Sequence, residues 1–219
     1  MLLISEEITQ PLDLVEEVIE ESDGKKKALY LEGVYLQAEQ KNRNGRIYPK
    51  AILAREVARY TKHYIKENRA YGELGHPDGP TVNLHRVSHL ITGLEEQGND
   101  WIGKAKVMDT EYGLTVKAIL ESGGKLGVSS RGMGSLMRKN GINEVQKDYH
   151  LVTAADIVAD PSAPNAFVEG IMEGVEWIKI NETWVPQYID ETRKKIHNTP
   201  KAQLQEAKLK AFQGFLSKL

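Results

Sequence analysis

The chain contains no cysteine, which excludes disulfides, thiolate nucleophiles and cysteine-ligated metals. A reducing compartment is compatible with that. It has almost no net charge: 29 Lys and Arg stand against 31 Asp and Glu, leaving −2. No basic field therefore invites nucleic acid or an anionic membrane surface. No apolar run approaches the roughly 20 residues that span a bilayer. Met1-Leu2-Leu3-Ile4 runs at once into Glu6 and Glu7, without the basic start and long apolar stretch of a signal peptide. Repeats and low-complexity tracts are absent as well. These absences point to a soluble cytoplasmic protein.

What is present is a globular composition, 40% hydrophobic and 27% charged over 219 residues. That length suits one well-packed domain with an appendage. Residues 1–26 are acidic and end in the turn sequence Ser22-Asp23-Gly24-Lys25-Lys26, reading as a leader. The strand formers Ala28 to Leu36 begin the core. An Asn-Gly turn follows at Asn44-Gly45, and Pro49 then introduces a helix. On it Ile52, Leu53, Val57, Tyr60 and Tyr64 recur at helical spacing. Leu90 to Leu94 and Trp101 to Val107 read as strands, followed by a turn at Asp109 to Gly113. Leu114 to Leu120 fits a strand or a short helix, and Tyr149 to Val158 reads as another strand. Beyond Pro200, Leu204, Leu209, Phe212, Leu216 and Leu219 share one face of a helix, behind a polar linker from Pro186. The expected division is a leader at 1–26, a domain at 27–185, and a linker with amphipathic tail at 186–219. Both ends are candidates for processing or partner binding.

The segment Leu126-Gly127-Val128-Ser129-Ser130-Arg131-Gly132-Met133-Gly134 reads as a backbone turn that exposes a hydroxyl. It fits an ordinary polar turn too. Serine is a weak nucleophile unless a base takes its proton and donors stabilise the oxyanion. The glycines would let backbone N–H groups of Ser130, Arg131 and Gly132 approach an oxyanion, and Arg131 could add charge. His76, held between Gly75 and Pro77, is the preferred base among six histidines. His85 and His89 stand i, i+4 and would share a helix face at metal-ligand spacing, but no glutamate follows His85 as in a zinc-protease helix. Asp156 sits in the apolar run Leu151 to Val158, where a carboxylate is costly unless paired. His76 would serve as its partner, and so would a salt bridge to Arg131. Glu73 and Asp160 are further acids near these segments.

Taken in order, these blocks resemble a known family. Glu32-Gly33 with Gln37-Ala38-Glu39, Asn42-Arg43-Asn44 with Tyr48-Pro49, and Gly72-Glu73-Leu74 with His76-Pro77 come first. Gly127 to Gly132 with Gly134-Ser135-Leu136, and then Pro161-Ser162-Ala163-Pro164, complete the set. The match, from about residue 29 to 168, is to the prohead core proteases of large contractile-tailed phages. The resemblance implies a serine endopeptidase related in fold to the herpesvirus assemblins, a single α+β domain with an antiparallel, barrel-like sheet flanked by helices. It implies His76 as the catalytic histidine and Ser129, rather than Ser130, as the nucleophile. Assemblins use a second histidine on a later strand; here that strand offers His150 at its start and Asp156 further on, and Asp156 completes the expected triad. No cofactor or metal is required. The implied substrates are scaffold, core and capsid proteins, cut after glutamate in hydrophobic-x-Glu sites inside the assembling prohead in the host cytoplasm, with no nucleic-acid or membrane partner. Self-assembly into a homo-oligomer fits the same picture. Ile4-Ser5-Glu6, Leu14-Val15-Glu16, Ile19-Glu20-Glu21, Ile189-Asp190-Glu191 and Leu204-Gln205-Glu206 match that pattern near the ends, and Ile65-Lys66-Glu67 matches it inside the core. Self-processing of the tails is therefore expected. A non-catalytic core-assembly protein and a hydrolase of small esters or amides are the competing readings.

Overall fold

The computed structural model describes residues 2–8, 12–21, 24–75, 79–159, 177–180 and 183–186. The chain divides into two compact units, Met1–Glu173 and Gly174–Leu219. In the second, β12 (Trp177–Ile180) and β13 (Thr183–Pro186) form an antiparallel pair. The expected tail helix beyond residue 186 lies outside the described residues.

The first unit is mostly β-sheet with two helices. Strand β1 is Leu2–Ile8, β2 Asp13–Glu21, β3 Gly24–Gln37, β4 Arg46–Ile47 and β5 Tyr71–Glu73. After them come β6 (Val87–Gln97), β7 (Asp100–Val107), β8 (Gly127–Gly134), β9 (Leu136–Lys139), β10 (Ile142–Val145) and β11 (His150–Val158). One antiparallel sheet has the order β2-β3-β7-β6-β5, and a second has β1-β8-β11. A third, β4-β10-β9, contains the parallel pair β4/β10. The residues expected to form a leader thus supply β1 and β2, strands in the two larger sheets. Among the described residues no sheet closes on itself, so the barrel expected from the resemblance is not seen. The two larger sheets instead share one buried core and, among the described residues, are joined along the backbone by a parallel bridge, Leu74 to Ile157.

Local sequence explains most elements. In β7 the residues Trp101, Gly103, Ala105 and Val107 are buried while their neighbours are half-buried, the period-2 signature of a strand. Gly103 has no side chain because the Tyr35 ring lies over it. Helix α1 (Lys50–Tyr60) buries Leu53, Val57 and Tyr60 along one stripe, then widens into a π-turn at Thr61–Ile65. Helix α2 spans Glu111–Glu121, so the turn expected at Asp109 to Gly113 is in fact the helix start. Thr110 caps it by accepting from the Gly113 N–H at 3.1 Å. Among the described residues, no helix is long and apolar enough to cross a membrane.

One acid breaks the apolar stripe of α1. Glu56 is buried and accepts from the Leu151 N–H (3.1 Å) and from Arg59 Nε (2.8 Å), while Arg59 also donates to the Leu151 carbonyl (2.6 Å). Strand β11 is an edge strand, and these side chains satisfy backbone groups that its sheet leaves unpaired. Burial alone would raise the Glu56 pKa. The hydrogen bonds from Arg59 and Leu151, with the Arg59 charge, hold it below the ordinary glutamate value. Its contribution is therefore complete above the unfolded-state pKa and is lost as pH falls through the lowered folded-state value. Glu56→Gln should cost on the order of 1–3 kcal/mol at neutral pH and flatten that acidic decline. Urea unfolding at a series of pH values measures both.

Candidate active site

Strand β8 positions the site, and it is not the exposed turn its composition suggests. Gly127 to Gly134 is the central strand of its sheet, buried along its whole length between β1 and β11. The glycines fit because neighbours crowd in: a Cβ on Gly132 would run into the Tyr149 ring. Ser130, Arg131 and Gly132 therefore lie within a ladder rather than a loop.

Ser129 and Arg131 share one face of β8 by the period-2 rule. Asp156 of β11 is the register partner of Ser129, so its side chain joins that face. Ser129 is fully buried, and its Oγ has no hydrogen-bond partner among the described residues. The Arg131 guanidinium lies alongside, also fully buried. Its Nε donates to Asp156 Oδ2 (2.9 Å), and its Nη2 donates to Asp156 Oδ1 (3.3 Å) and Glu73 Oε1 (3.0 Å). Its Nη1 donates to the carbonyls of Gly79 and Thr81. Of the two partners weighed for Asp156, the salt bridge to Arg131 is thus present.

Glu73, at the end of β5, is the acid whose weight the sequence understated. Its N–H donates to Asp156 Oδ1 (3.1 Å), its Oε1 accepts from the Asn83 N–H (3.0 Å), and its Oε2 is buried without a described partner. Burial pushes its pKa up, while the Arg131 charge and the Asn83 N–H pull it back. The useful signal was its place three residues before His76. His76 and Asp160 lie outside the described residues. The chain leading into residue 76 is fixed, however: Gly75, at φ +80°, donates its N–H to the Ile157 carbonyl at 2.7 Å. That conformation is one glycine adopts readily, and a Cβ there would press on Arg86 Nη2.

His85 and His89 do not share a helix face. His85 stands in a 3₁₀ turn at Leu84–Arg86, and His89 two residues into the strand that follows, because Val87 pairs with β5 and His89 with both β5 and β7. No cluster of metal-ligating side chains occurs among the described residues. His150 lies at the far end of β11 from Asp156, with Nδ1 3.8 Å from Glu56 Oε2.

A family described as prohead core protein serine protease matches residues 4–176. The chain belongs to that family. The match takes in most of β1, all of β2 and every described residue of the site. The prohead core protein protease of Enterobacteria phage T4 is 38% identical over 175 residues, covering 76% of this chain and 82% of its own. The solved structure of the bacteriophage T4 capsid assembly protease superimposes with a TM-score of 0.68 at 34% identity, covering 72% of this chain and 97% of that one. The chain is a protease of this prohead family.

His89 is a buried histidine near Asp156 that the sequence did not single out beyond its spacing. It is fully buried, its Nε2 meets the Ala155 carbonyl at 3.1 Å and its Nδ1 meets Ser88 Oγ at 2.9 Å. A carbonyl can only accept, so Nε2 carries the proton and Nδ1 accepts from the serine. Burial pushes its pKa down to about 4, against the pull of Asp156 and the Ala155 carbonyl. The unfolded chain takes up this proton near the ordinary pKa of about 6.5 and the folded one refuses it. Stability should therefore fall as pH drops from about 6.5 to about 4, by on the order of 3 kcal/mol. His89→Gln, whose amide can occupy the same two partners, should lose that part of the slope in unfolding titrations.

Proposed function

We propose that this protease is a serine endopeptidase of prohead maturation in which Ser129 is the nucleophile, His76 the base and Asp156 the residue that orients it. One observation carries the reading: Leu74 and Gly75, the residues that precede His76 in sequence, dock on Ile157, the neighbour of Asp156, which is the register partner of Ser129. Oγ of Ser129 attacks the peptide carbonyl carbon as His76 takes its proton. The same proton then goes to the leaving amine, and water hydrolyses the acyl-enzyme. All five N–H groups of Arg131 end on protein acceptors, so the oxyanion donors are assigned to the backbone N–H groups of Ser130 and Gly132, which the β8 ladder must release before they can act. The chain order, histidine before serine, supports the kinship with the herpesvirus assemblins.

The substrates are scaffold, core and capsid proteins, cut after glutamate in hydrophobic-x-Glu sites inside the assembling prohead. The molecule's own N-terminus supports self-cleavage. Ile4-Ser5-Glu6 lies on β1, where Glu6 and Glu7 are the register partners of Ser130 and Ser129. With β1 on one edge of β8 and β11 on the other, an extended substrate finds no open edge until β1 moves.

Ser129→Ala should lower cleavage of a peptide containing Ile-Ser-Glu by roughly 10³-fold or more, and a Gln-for-Glu peptide should resist the wild-type enzyme. On incubation at high concentration, wild-type protein should lose the mass of residues 1–6 while Ser129→Ala stays intact. Undiminished cleavage by the alanine variant would discard the assignment. No cleavage by either protein would favour the non-catalytic core-assembly reading.

A further inference from the structure

Arg131 does more than neutralise two acids. Its Nη1 reaches out of the ion cluster to the carbonyls of Gly79, which immediately follows 76–78, and of Thr81, two residues on. Glu73, which shares the cluster, accepts the N–H of Asn83 a little further along. On the near side, Gly75 is bound to Ile157, and the Leu74 carbonyl accepts from Arg86 Nη2 at 2.9 Å. The described residues on either side of 76–78 are therefore each held, Gly75 by Ile157 and Gly79 by Arg131, a side chain two residues from Ser129 on the same face of β8.

The choice of residue supports a geometric role. A guanidinium offers five donors in a rigid fork, and here they divide among Asp156, Glu73, Gly79 and Thr81. A lysine ammonium has three donors at one point and could not span that set. Burying a charge so completely is costly unless each donor is matched, as these are.

We propose that Arg131 is a positioning residue: held by Glu73 and Asp156, it ties the 79–81 backbone to the nucleophile strand and so fixes the stretch that bears His76 relative to Ser129. This rests on the reading of His76 as the base. In this role Arg131 acts through the 79–81 backbone and does not touch substrate.

The test uses the full chain. In a Ser129→Ala background, the histidine ring signals are titrated by NMR with and without Arg131→Lys, and His76 is identified by its loss in His76→Gln. Arg131→Lys should move the His76 midpoint by about half a unit or more and broaden its signal. With Ser129 intact, Arg131→Lys should lower kcat roughly 10- to 100-fold with KM within about threefold. Methylguanidinium should restore part of the kcat of Arg131→Ala. If Arg131→Lys does not fold, Glu73→Gln keeps the acceptor and the shape, and should shift the same His76 signal in the same assay. A folded variant of either kind whose His76 titration matches the parent overturns the proposal, as does a loss of activity carried by KM alone. If His76→Gln cleaves normally, the catalytic reading falls, yet the NMR comparison still decides the tie.

Discussion

The first unit depends on one buried guanidinium. Arg131 brings together β5 through Glu73, β11 through Asp156 and the 79–81 segment through two carbonyls, all anchored to β8. None of these partners is near it in sequence, and none of the charges reaches water. Two unpaired carboxylates or an unmatched guanidinium would each cost several kcal/mol. The cluster thus penalises any arrangement that seats fewer than all of its members. Hydrophobic burial drives the sheets together. The ion cluster decides which strand lies beside which.

That constraint explains how an unpromising strand holds the centre of a sheet. Gly127 to Gly134 has three glycines, two serines and little intrinsic preference for extended structure. It is a strand because both flanks supply ladders, with β1 in unbroken register and β11 on the other side. The small residues that weaken it locally let Tyr149 pack over Gly132. They also let a large arginine be buried where bulkier neighbours would exclude it. A nucleophile on such a strand is held by long-range contacts, so its position is as firm as the sheet itself.

What the sequence revealed follows from the range of each interaction. Helix α1 was legible from the spacing of Leu53, Val57 and Tyr60, and β3 and β7 from their apolar and β-branched residues. Those signals are local. Strand β8 read as a turn because its state is imposed by partners over a hundred residues away at one edge. The start of α2 was hidden by Asp109 and Gly113, turn formers that here flank an N-cap. His85 and His89 had helical spacing but were drawn into a sheet by pairing with β7. The acids show the same division. That Asp156 needed a partner was evident from its apolar run, whereas the choice of Arg131 required the fold. Glu56 carried no signal in the sequence, because the Leu151 N–H it accepts from lies 95 residues away.

The register of β11 shows how these polar anchors set the geometry of the site. Its start is held by Glu56 and Arg59 on the Leu151 backbone, and its later part by Asp156 in the ion cluster. Between them the pairing with β8 shifts twice, once between Leu151 and Thr153 and once between Thr153 and Asp156. Each shift inserts one extra residue in β11. Counting from the pair His150 and Met133, an unbroken ladder would set Ala154 opposite Ser129. Two insertions move Asp156 there instead. A single insertion would have turned the acid to the other face of the sheet, since side chains alternate. Two insertions restore the face and advance the strand. The bulges are therefore what carries a carboxylate into register with the serine. The anchors at either end hold the strand in that register, and with it the pairing of an acid and a hydroxyl that a regular sheet would have kept apart.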